Sequence, residues 1–123
     1  MKVLIADDHA QMREIIRKLV LSLPEVESVI ECENGEEALS ISIKEQPDLI
    51  LMDLLMKKMD GLTAIKKIKS AGVLSKIIVV SQISEKEFRD EVISIGADYF
   101  LNKENLLQLP DVIRSVTKNK WFL

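Results

Sequence analysis

The chain has 123 residues, of which 47% are hydrophobic, and its formal net charge is −3. That length fits one domain whose core needs neither disulfides nor a structural metal, and the acidic balance disfavours direct nucleic-acid binding. The single cysteine, Cys32, excludes an internal disulfide and is expected to be a small buried hydrophobe. With no visible signal peptide and no apolar stretch near the ~20 residues that span a bilayer, we expect a cytoplasmic protein without membrane contact.

Short apolar runs, typical of strands buried on both faces, alternate with segments that have apolar residues at helical spacing. The runs predict five strands, at residues 3–6, 27–32, 49–52, 77–80 and 99–102. The amphipathic segments predict five helices, at residues 10–22, Asn34 to about Lys44, Asp60 to just before Gly72, Ser84 to Gly96, and Pro110 onward. Asn34 and Asp60 are expected to be N-caps, and Ser84 is expected to open a capping box. Pro110 fits a first helical turn, so we expect residues 105–109 to form a separate turn.

Strands that alternate with helices in this way predict an α/β fold, a doubly wound parallel sheet with helices on both faces. The same pattern predicts a single domain over residues 1–123. Its core is expected to cover about residues 1–118, with residues 119–123 as a tail or a linker stump.

Four of the apolar runs end in polar residues, which are Asp7 with Asp8, Asp53, Ser81 and Lys103. The carboxyl ends of parallel strands meet at one edge of a sheet, so these side chains are expected to converge there. Three close carboxylates repel one another, and Mg²⁺ bound through oxygen ligands would remove that conflict. Taken singly, the acids are equally well explained as helix caps, the serine as a turn residue and the lysine as a solvated charge.

Together, these groups suit the transfer of a phosphoryl group onto an aspartate. Carboxylates act as nucleophiles in covalent catalysis. The cation, the hydroxyl of Ser81 and the ammonium of Lys103 would each neutralise one phosphoryl oxygen.

Five stretches resemble the receiver domain of bacterial two-component response regulators, and the resemblance runs along nearly the whole chain. The stretches are residues 3–9 (VLIADDH), 48–53 (DLILMD), 59–61 (MDG), 77–81 (IIVVS) and 96–103 (GADYFLNK). The resemblance implies a flavodoxin-like fold with strand order 2-1-3-4-5. The Asp-Asp-His start is similar to receivers of helix-turn-helix regulators.

The resemblance also implies a role for each site residue. Asp53 would be the phosphoacceptor and Lys103 its phosphate-pairing partner, with Ser81 at the hydroxyl-switch position. The implied Mg²⁺ ligands are Asp8, Asp7 mostly through water, Asp53, and the backbone carbonyl of Leu55. Phe100 would occupy the aromatic-switch position and turn inward from solvent on phosphorylation, changing the surface of the fourth helix, fifth strand and fifth helix.

The chain departs from the family pattern at two places. Lys57 and Glu104 stand where many receivers have proline, which leaves the functional groups intact but alters the loops. Leu55 and Ile83 lie two residues beyond Asp53 and Ser81, where apolar side chains would hinder attacking water and predict a long-lived phosphoryl group. His9 is expected to have a surface or capping role.

The implied partners are a histidine kinase or phosphotransfer protein, a downstream effector domain or protein, and a second copy of the chain on phosphorylation. Such a domain would be no enzyme beyond its own phosphorylation and dephosphorylation. Because the sequence stops soon after the fifth helix, we expect a stand-alone receiver or a fragment of a longer regulator, with no DNA-binding domain.

Two other functions stay open. One is a receiver-like interaction module that works without phosphorylation. The other is a Mg²⁺-dependent phosphatase or another flavodoxin-like enzyme, which is disfavoured because Leu55 stands where a second acid would act. Asp7 and Asp8 would also repel a flavin phosphate.

Overall fold

Parallel strands form one sheet in the order β2-β1-β3-β4-β5. The structure, a computed structural model, describes residues 1–83 and 86–121, with the side chains of residues 119–121 outside that description. Within these residues the strands are β1 (Lys2–Ala6), β2 (Ser28–Cys32), β3 (Leu49–Met52), β4 (Lys76–Ser81) and β5 (Tyr99–Asn102). The helices are α1 (Ala10–Leu21), α2 (Gly35–Glu45), α3 (Gly61–Ser70), α4 (Lys86–Ser94) and α5 (Leu109–Trp121). The predicted fold class and strand order are confirmed.

The central strands are apolar on both faces because each face packs against helices. Leu4 and Ala6 of β1 point into a core cluster with side chains of α2, α3 and α4. Val3 and Ile5, which alternate with them, point into a second cluster with side chains of α1 and α5. Burial on two sides explains why short continuous apolar runs, rather than alternating patterns, marked these strands.

Helix starts follow the predicted cap chemistry at two positions. The side chain of Asn34 accepts a hydrogen bond from the N–H of Glu37 (2.9 Å), and Asp60 accepts one from the N–H of Thr63 (2.8 Å). Gly72 and Gly96 have φ values of 80° and 115°, a region that glycine occupies without strain. The predicted capping box at Ser84 lies outside the described residues.

The connection after β5 differs from the predicted turn at residues 105–109. A 3₁₀ segment at Lys103–Gln108, kinked at Asn105, begins directly after the strand, and Leu109 is already the first residue of α5. The side chain of Asn102 starts this 3₁₀ segment by accepting a hydrogen bond from the N–H of Glu104 (2.8 Å). Pro110 lies in the first turn of α5, as predicted.

Several other strand and helix ends shift by one or two residues. Lys76 and Ser81 extend β4 at its two ends, and α4 ends at Ser94, before Ile95. The predicted tail at residues 119–123 falls partly outside the description and stays a prediction. No helix within the described residues is long and apolar enough to cross a membrane.

Candidate functional site

Lys103 lies between two buried carboxylates at the carboxyl edge of the sheet. Its Nζ is 2.8 Å from Oδ2 of Asp7 and 3.2 Å from Oδ2 of Asp53. The Lys103 side chain is only 6% exposed, and those of Asp7 and Asp53 are 1% and 5% exposed. The structure thus brings together three groups that are up to 96 positions apart in sequence.

Backbone hydrogen bonds beyond the strand ends hold the two acids in place. The N–H of Asp7 donates to the carbonyl of Cys32 (3.2 Å), and that of Asp53 donates to the carbonyl of Ala6 (2.9 Å). These bonds continue the pairing of β1 with β2 and β3. Gly61 packs so closely against the backbone carbonyl of Asp53 that a Cβ there would overlap it, so α3 begins directly against the acid.

Arg13 tethers the first acid from α1. Its Nη1 donates to the backbone carbonyl of Asp7 (2.7 Å), and its Nε lies 3.3 Å from a carboxylate oxygen of Glu31 in β2. The N–H of His9 donates to Oδ1 of Asp7 (2.8 Å). Sequence reasoning missed Arg13, whose signal was a basic residue in the first turn of the predicted first helix.

Burial and neighbouring charges both shift the pKa values of Asp53 and Lys103. Burial raises the pKa of Asp53 above its usual value, the charge of Lys103 partly offsets this, and the charge of Asp7 adds to it. For Lys103, burial lowers the pKa, but the hydrogen bond to Asp7 and the charges of Asp53 and Asp7 outweigh burial and leave it raised. Lys103 is therefore an ammonium at neutral pH.

The chemistry of the acids fits a hard divalent cation. Asp7, Asp8, His9 and Asp53 each offer a ligand atom, and these atoms lie within 4.8 Å of one another. Oδ1 of Asp8 is buried and accepts no hydrogen bond from any described residue, although Nδ1 of His9 lies 3.0 Å away. A buried carboxylate oxygen without a donor is costly, and Mg²⁺ binds oxygen ligands of this kind.

The two predicted switch residues lie on the neighbouring strands β4 and β5. Ser81 is fully buried, and its Oγ accepts a hydrogen bond from the N–H of Ile83 (3.2 Å). Phe100 is 8% exposed and packs into the core cluster on the α4 side, with the guanidinium of Arg89 5.7 Å from its ring centroid. Phe100 already points inward, whereas the sequence predicted a solvent-facing ring before phosphorylation. Packing in the apolar cluster holds the ring there, with the guanidinium of Arg89 over its face.

Comparison with models of known protein families shows which family the chain belongs to. The family model described as Response regulator receiver domain matches residues 3–114. This chain belongs to the response regulator receiver domain family. It is therefore a receiver domain of the two-component type, as the five sequence stretches predicted.

Relatives of the receiver include single-domain and longer regulators. The chemotaxis protein CheY of Bacillus subtilis is 34% identical over 117 residues, which are 95% of each chain. The transcriptional regulatory protein LiaR of the same species is 32% identical over 120 residues, 97% of the receiver but 57% of LiaR. The receiver spans about half the length of LiaR and of other regulators that it matches.

A solved structure shares this fold, with a sequence identity close to that of these two relatives. The receiver domain of the histidine kinase CKI1 from Arabidopsis thaliana, complexed with Mg²⁺ and BeF₃⁻, is 32% identical, with a TM-score of 0.82. The match covers 95% of this receiver and 89% of the CKI1 chain.

The loop after β3 shows where the receiver departs from its family's usual proline. Lys58 adopts a left-handed conformation with φ of 64°, and Lys57 pairs with Asn34 through an isolated β-bridge. The two lysines and Asp8 line one small pocket of about 150 Å³. Lys57 thus brings positive charge close to Asp8.

Apolar side chains flank the loop ends next to Asp53 and Ser81. Leu55 is 59% exposed, and Ile83 is half-buried. Both line a cavity of about 220 Å³ together with Phe88 of α4. The N–H of Leu55 lies 3.4 Å from Oδ1 of Asp53, which orients this loop toward the acid. The ligand role of the Leu55 carbonyl stays a prediction.

Proposed function

We propose that this receiver accepts a phosphoryl group on Asp53 in a Mg²⁺-dependent reaction. The contact of Lys103 with both Asp7 and Asp53, at 2.8 and 3.2 Å, carries the proposal. This ammonium lies beside the acid where new negative charge would develop, and it is held there by two partners rather than by one. The match to the CKI1 receiver, solved with Mg²⁺ and BeF₃⁻, adds support.

In this proposal the acids bind the metal ion and Lys103 pairs with the phosphoryl group. Asp7, Asp8 and Asp53 would bind Mg²⁺, with the backbone carbonyl of Leu55 as a further ligand. When bound, the ion supplies positive charge that offsets the carboxylates and the phosphoryl oxygens. Arg13 keeps the backbone of Asp7 fixed, and Lys103 remains protonated to pair with a phosphoryl oxygen.

The transfer step forms one bond and breaks one. A carboxylate oxygen of Asp53 attacks phosphorus, and the P–N bond of a phosphohistidine or the P–O bond of an acyl phosphate breaks. The leaving group keeps the bonding electron pair, and a histidine takes up its proton from solvent. Alignment of donor and acceptor, rather than acid–base chemistry by the receiver, governs the rate.

The proposed switch begins at Ser81. Its Oγ now accepts from the N–H of Ile83, and a phosphoryl group on Asp53 would draw the hydroxyl into donating to a phosphoryl oxygen. Loss of the contact to Ile83 would move the β4–α4 loop and favour a second population of the α4–β5–α5 surface. Because Phe100 is already inward, the change falls more on this loop than on the ring.

The proposed partners follow from this chemistry. A histidine kinase or phosphotransfer protein would supply the phosphoryl group, and an effector domain or protein would bind the altered surface. Homodimer formation on phosphorylation is a further proposal. Catalysis would be limited to the receiver's own phosphorylation and dephosphorylation.

Intact-mass measurement tests the assignment of Asp53. After incubation with acetyl phosphate and Mg²⁺, wild-type protein should gain one phosphoryl mass, whereas Asp53→Asn should gain none. Asp60→Asn is the matched control, because asparagine keeps the helix cap, and it should label as wild type does. Labelling of Asp53→Asn would contradict the site. An unlabelled wild type would favour the phosphorylation-independent interaction module.

A further inference from the structure

The imidazole of His9 lies beside the acids of the candidate metal centre. Its Nδ1 is 3.0 Å from Oδ1 of Asp8 and 3.4 Å from Oδ1 of Asp7. The side chain is 71% exposed, so no packing role accounts for its position. His9 precedes α1 as its N-cap residue, yet its side chain makes no cap hydrogen bond.

These separations are those of ion pairs, and neighbouring ligands of one metal ion lie at the same distances. Two atoms that each lie about 2.1 Å from a common ion are about 3.0 Å apart at a right angle and about 3.4 Å apart at a tetrahedral angle. Both distances from Nδ1 therefore fit a set in which nitrogen and the two carboxylate oxygens share an ion. The buried Oδ1 of Asp8, which lacks a hydrogen-bond donor among the described residues, lies nearest to this nitrogen.

We propose that His9 is a nitrogen ligand of this centre, which thereby binds first-row transition ions such as Zn²⁺ and Ni²⁺ through imidazole as well as carboxylates. Mg²⁺ prefers oxygen and gains little from imidazole, whereas zinc, nickel and copper bind imidazole well. The receiver would then discriminate between two classes of divalent ion with one set of acids. The inference rests on the proposed metal centre and adds to it a ligand and an ion class.

The chain offers few other groups that could bind a transition ion in place of His9. His9 is the only histidine and Cys32 the only cysteine in the chain. Cys32 is buried, and burial raises the pKa of its thiol to about 12, so it offers no thiolate at neutral pH. The N-terminal amine is buried and donates to the carbonyl of Glu25 (2.7 Å). Tight transition-ion binding at neutral pH therefore points to His9.

Calorimetric titration of the full, tag-free chain with Ni²⁺, Zn²⁺ and Mg²⁺ tests the proposal. His9→Asn should weaken Ni²⁺ and Zn²⁺ binding by at least about tenfold, since even outer-shell substitutions cost metal affinity on that scale. Mg²⁺ affinity should stay within about twofold of wild type. Gln11→Ala, a neighbouring substitution at the start of α1, is the control and should change none of the three.

Two outcomes would overturn the proposal. Unchanged Ni²⁺ and Zn²⁺ affinity in His9→Asn would remove the nitrogen ligand. Equal tightening of all three ions would mean that a protonated His9 only competes with cations for the acids. Nuclear magnetic resonance of ¹⁵N-labelled histidine gives a second readout, because Zn²⁺ should shift the ring nitrogens of this one residue.

Asp8→Asn distinguishes failure of this proposal from failure of the metal centre itself. If Asp8→Asn weakens all three ions while His9→Asn weakens none, the acids hold an ion and only the imidazole ligand is wrong. If Asp8→Asn leaves every affinity unchanged, the proposed metal centre is wrong, and so is the assignment of His9 as its ligand.

Discussion

Lys103 is the residue whose loss should affect stability most at the candidate site. Lys103→Met removes the ammonium between Asp7 and Asp53 and leaves two buried carboxylates facing one another. Breaking a buried ion pair in this way should lower the free energy of unfolding by about 3 kcal/mol in EDTA. Mg²⁺ should restore part of the loss, because a divalent cation replaces the missing charge. Chemical denaturation with and without Mg²⁺ measures both effects.

Lys18→Met is the matched control for this prediction. Lys18 pairs with Glu14 at 3.6 Å on the surface of α1, and both side chains are largely exposed. Exposed pairs of this kind contribute about 0.5 kcal/mol or less. Equal small losses in the two lysine variants would show that the Lys103 contacts do not stabilise the fold.

Removing the charge of Asp53 should have the opposite effect to Lys103→Met on the free energy of unfolding. Because burial raises the pKa of Asp53, its ionised form destabilises the folded state relative to its protonated form. In EDTA at pH 7, Asp53→Asn should therefore unfold at the same temperature as wild type or a higher one. Lys103 keeps its partner Asp7 in this variant.

The pH dependence of that difference has a definite sign. In the unfolded chain the carboxyl of Asp53 ionises near pH ~3.9. As the pH rises from there through the higher pKa of the folded state, wild type should lose stability relative to Asp53→Asn; below that range the two should converge. Thermal melts between about pH 3.5 and 7 measure this. A variant less stable than wild type at every pH would contradict the prediction.

At the scale of elements, the loops after β3 and β4 place apolar groups beside the proposed phosphoryl group. Leu55 and Ile83 line one cavity near Asp53, where they would hinder the approach of water in line with the leaving oxygen. We predict a phosphoryl group that outlasts a few seconds. Replacing both residues by Asn should speed its loss by about tenfold, which corresponds to a barrier lower by ~1.4 kcal/mol.

The decay of phosphorylated protein, followed by intact mass after removal of the phosphodonor, tests this prediction. Leu74→Asn is the control, because Leu74 is 91% exposed and lies outside that cavity. It should leave the lifetime unchanged. Loss of the wild-type label within seconds would refute the shielding by Leu55 and Ile83.

Local signals predicted the helix starts well and the connections less well. Asn34 and Asp60 were identified as caps from their own residue types and neighbours, and the structure shows both hydrogen bonds. The 3₁₀ segment after β5 was not predicted, although its cap, Asn102, lies next to it in the sequence. A 3₁₀ segment of six residues is too short to leave a periodic pattern of apolar residues.

At the scale of the whole molecule, two apolar clusters on opposite faces share the strands between them. We therefore expect one cooperative unfolding transition. The acids follow β1 and β3, and Lys103 follows β5, so an ion bound there should stabilise the entire unit. Mg²⁺ at ten times its dissociation constant should add about 1.4 kcal/mol and move the whole transition.

Circular dichroism melts at several Mg²⁺ concentrations measure this linkage. Asp8→Asn should abolish the shift, because it removes a proposed ligand. It should keep a single transition, because Asp8 is only half-buried and its Oδ1 accepts no hydrogen bond from the described part of the chain. Two separate transitions, or a shift of only one part of the melt, would contradict a single domain.

The sequence by itself determined the sheet, its strand order through the family resemblance, and the edge at which the polar residues gather. Apolar runs and cap residues encode these features locally, since strands buried on two faces must be apolar throughout. The position of every strand-end residue in the sheet follows from that order.

Only the tertiary structure decided which side chains contact one another at that edge. It showed Lys103 bonded to two acids, Arg13 holding the backbone of Asp7, and the imidazole of His9 beside Asp8. It also showed Phe100 already inward. Side-chain direction in loops and at strand ends is set by partners distant in sequence, and periodicity carries no information about them.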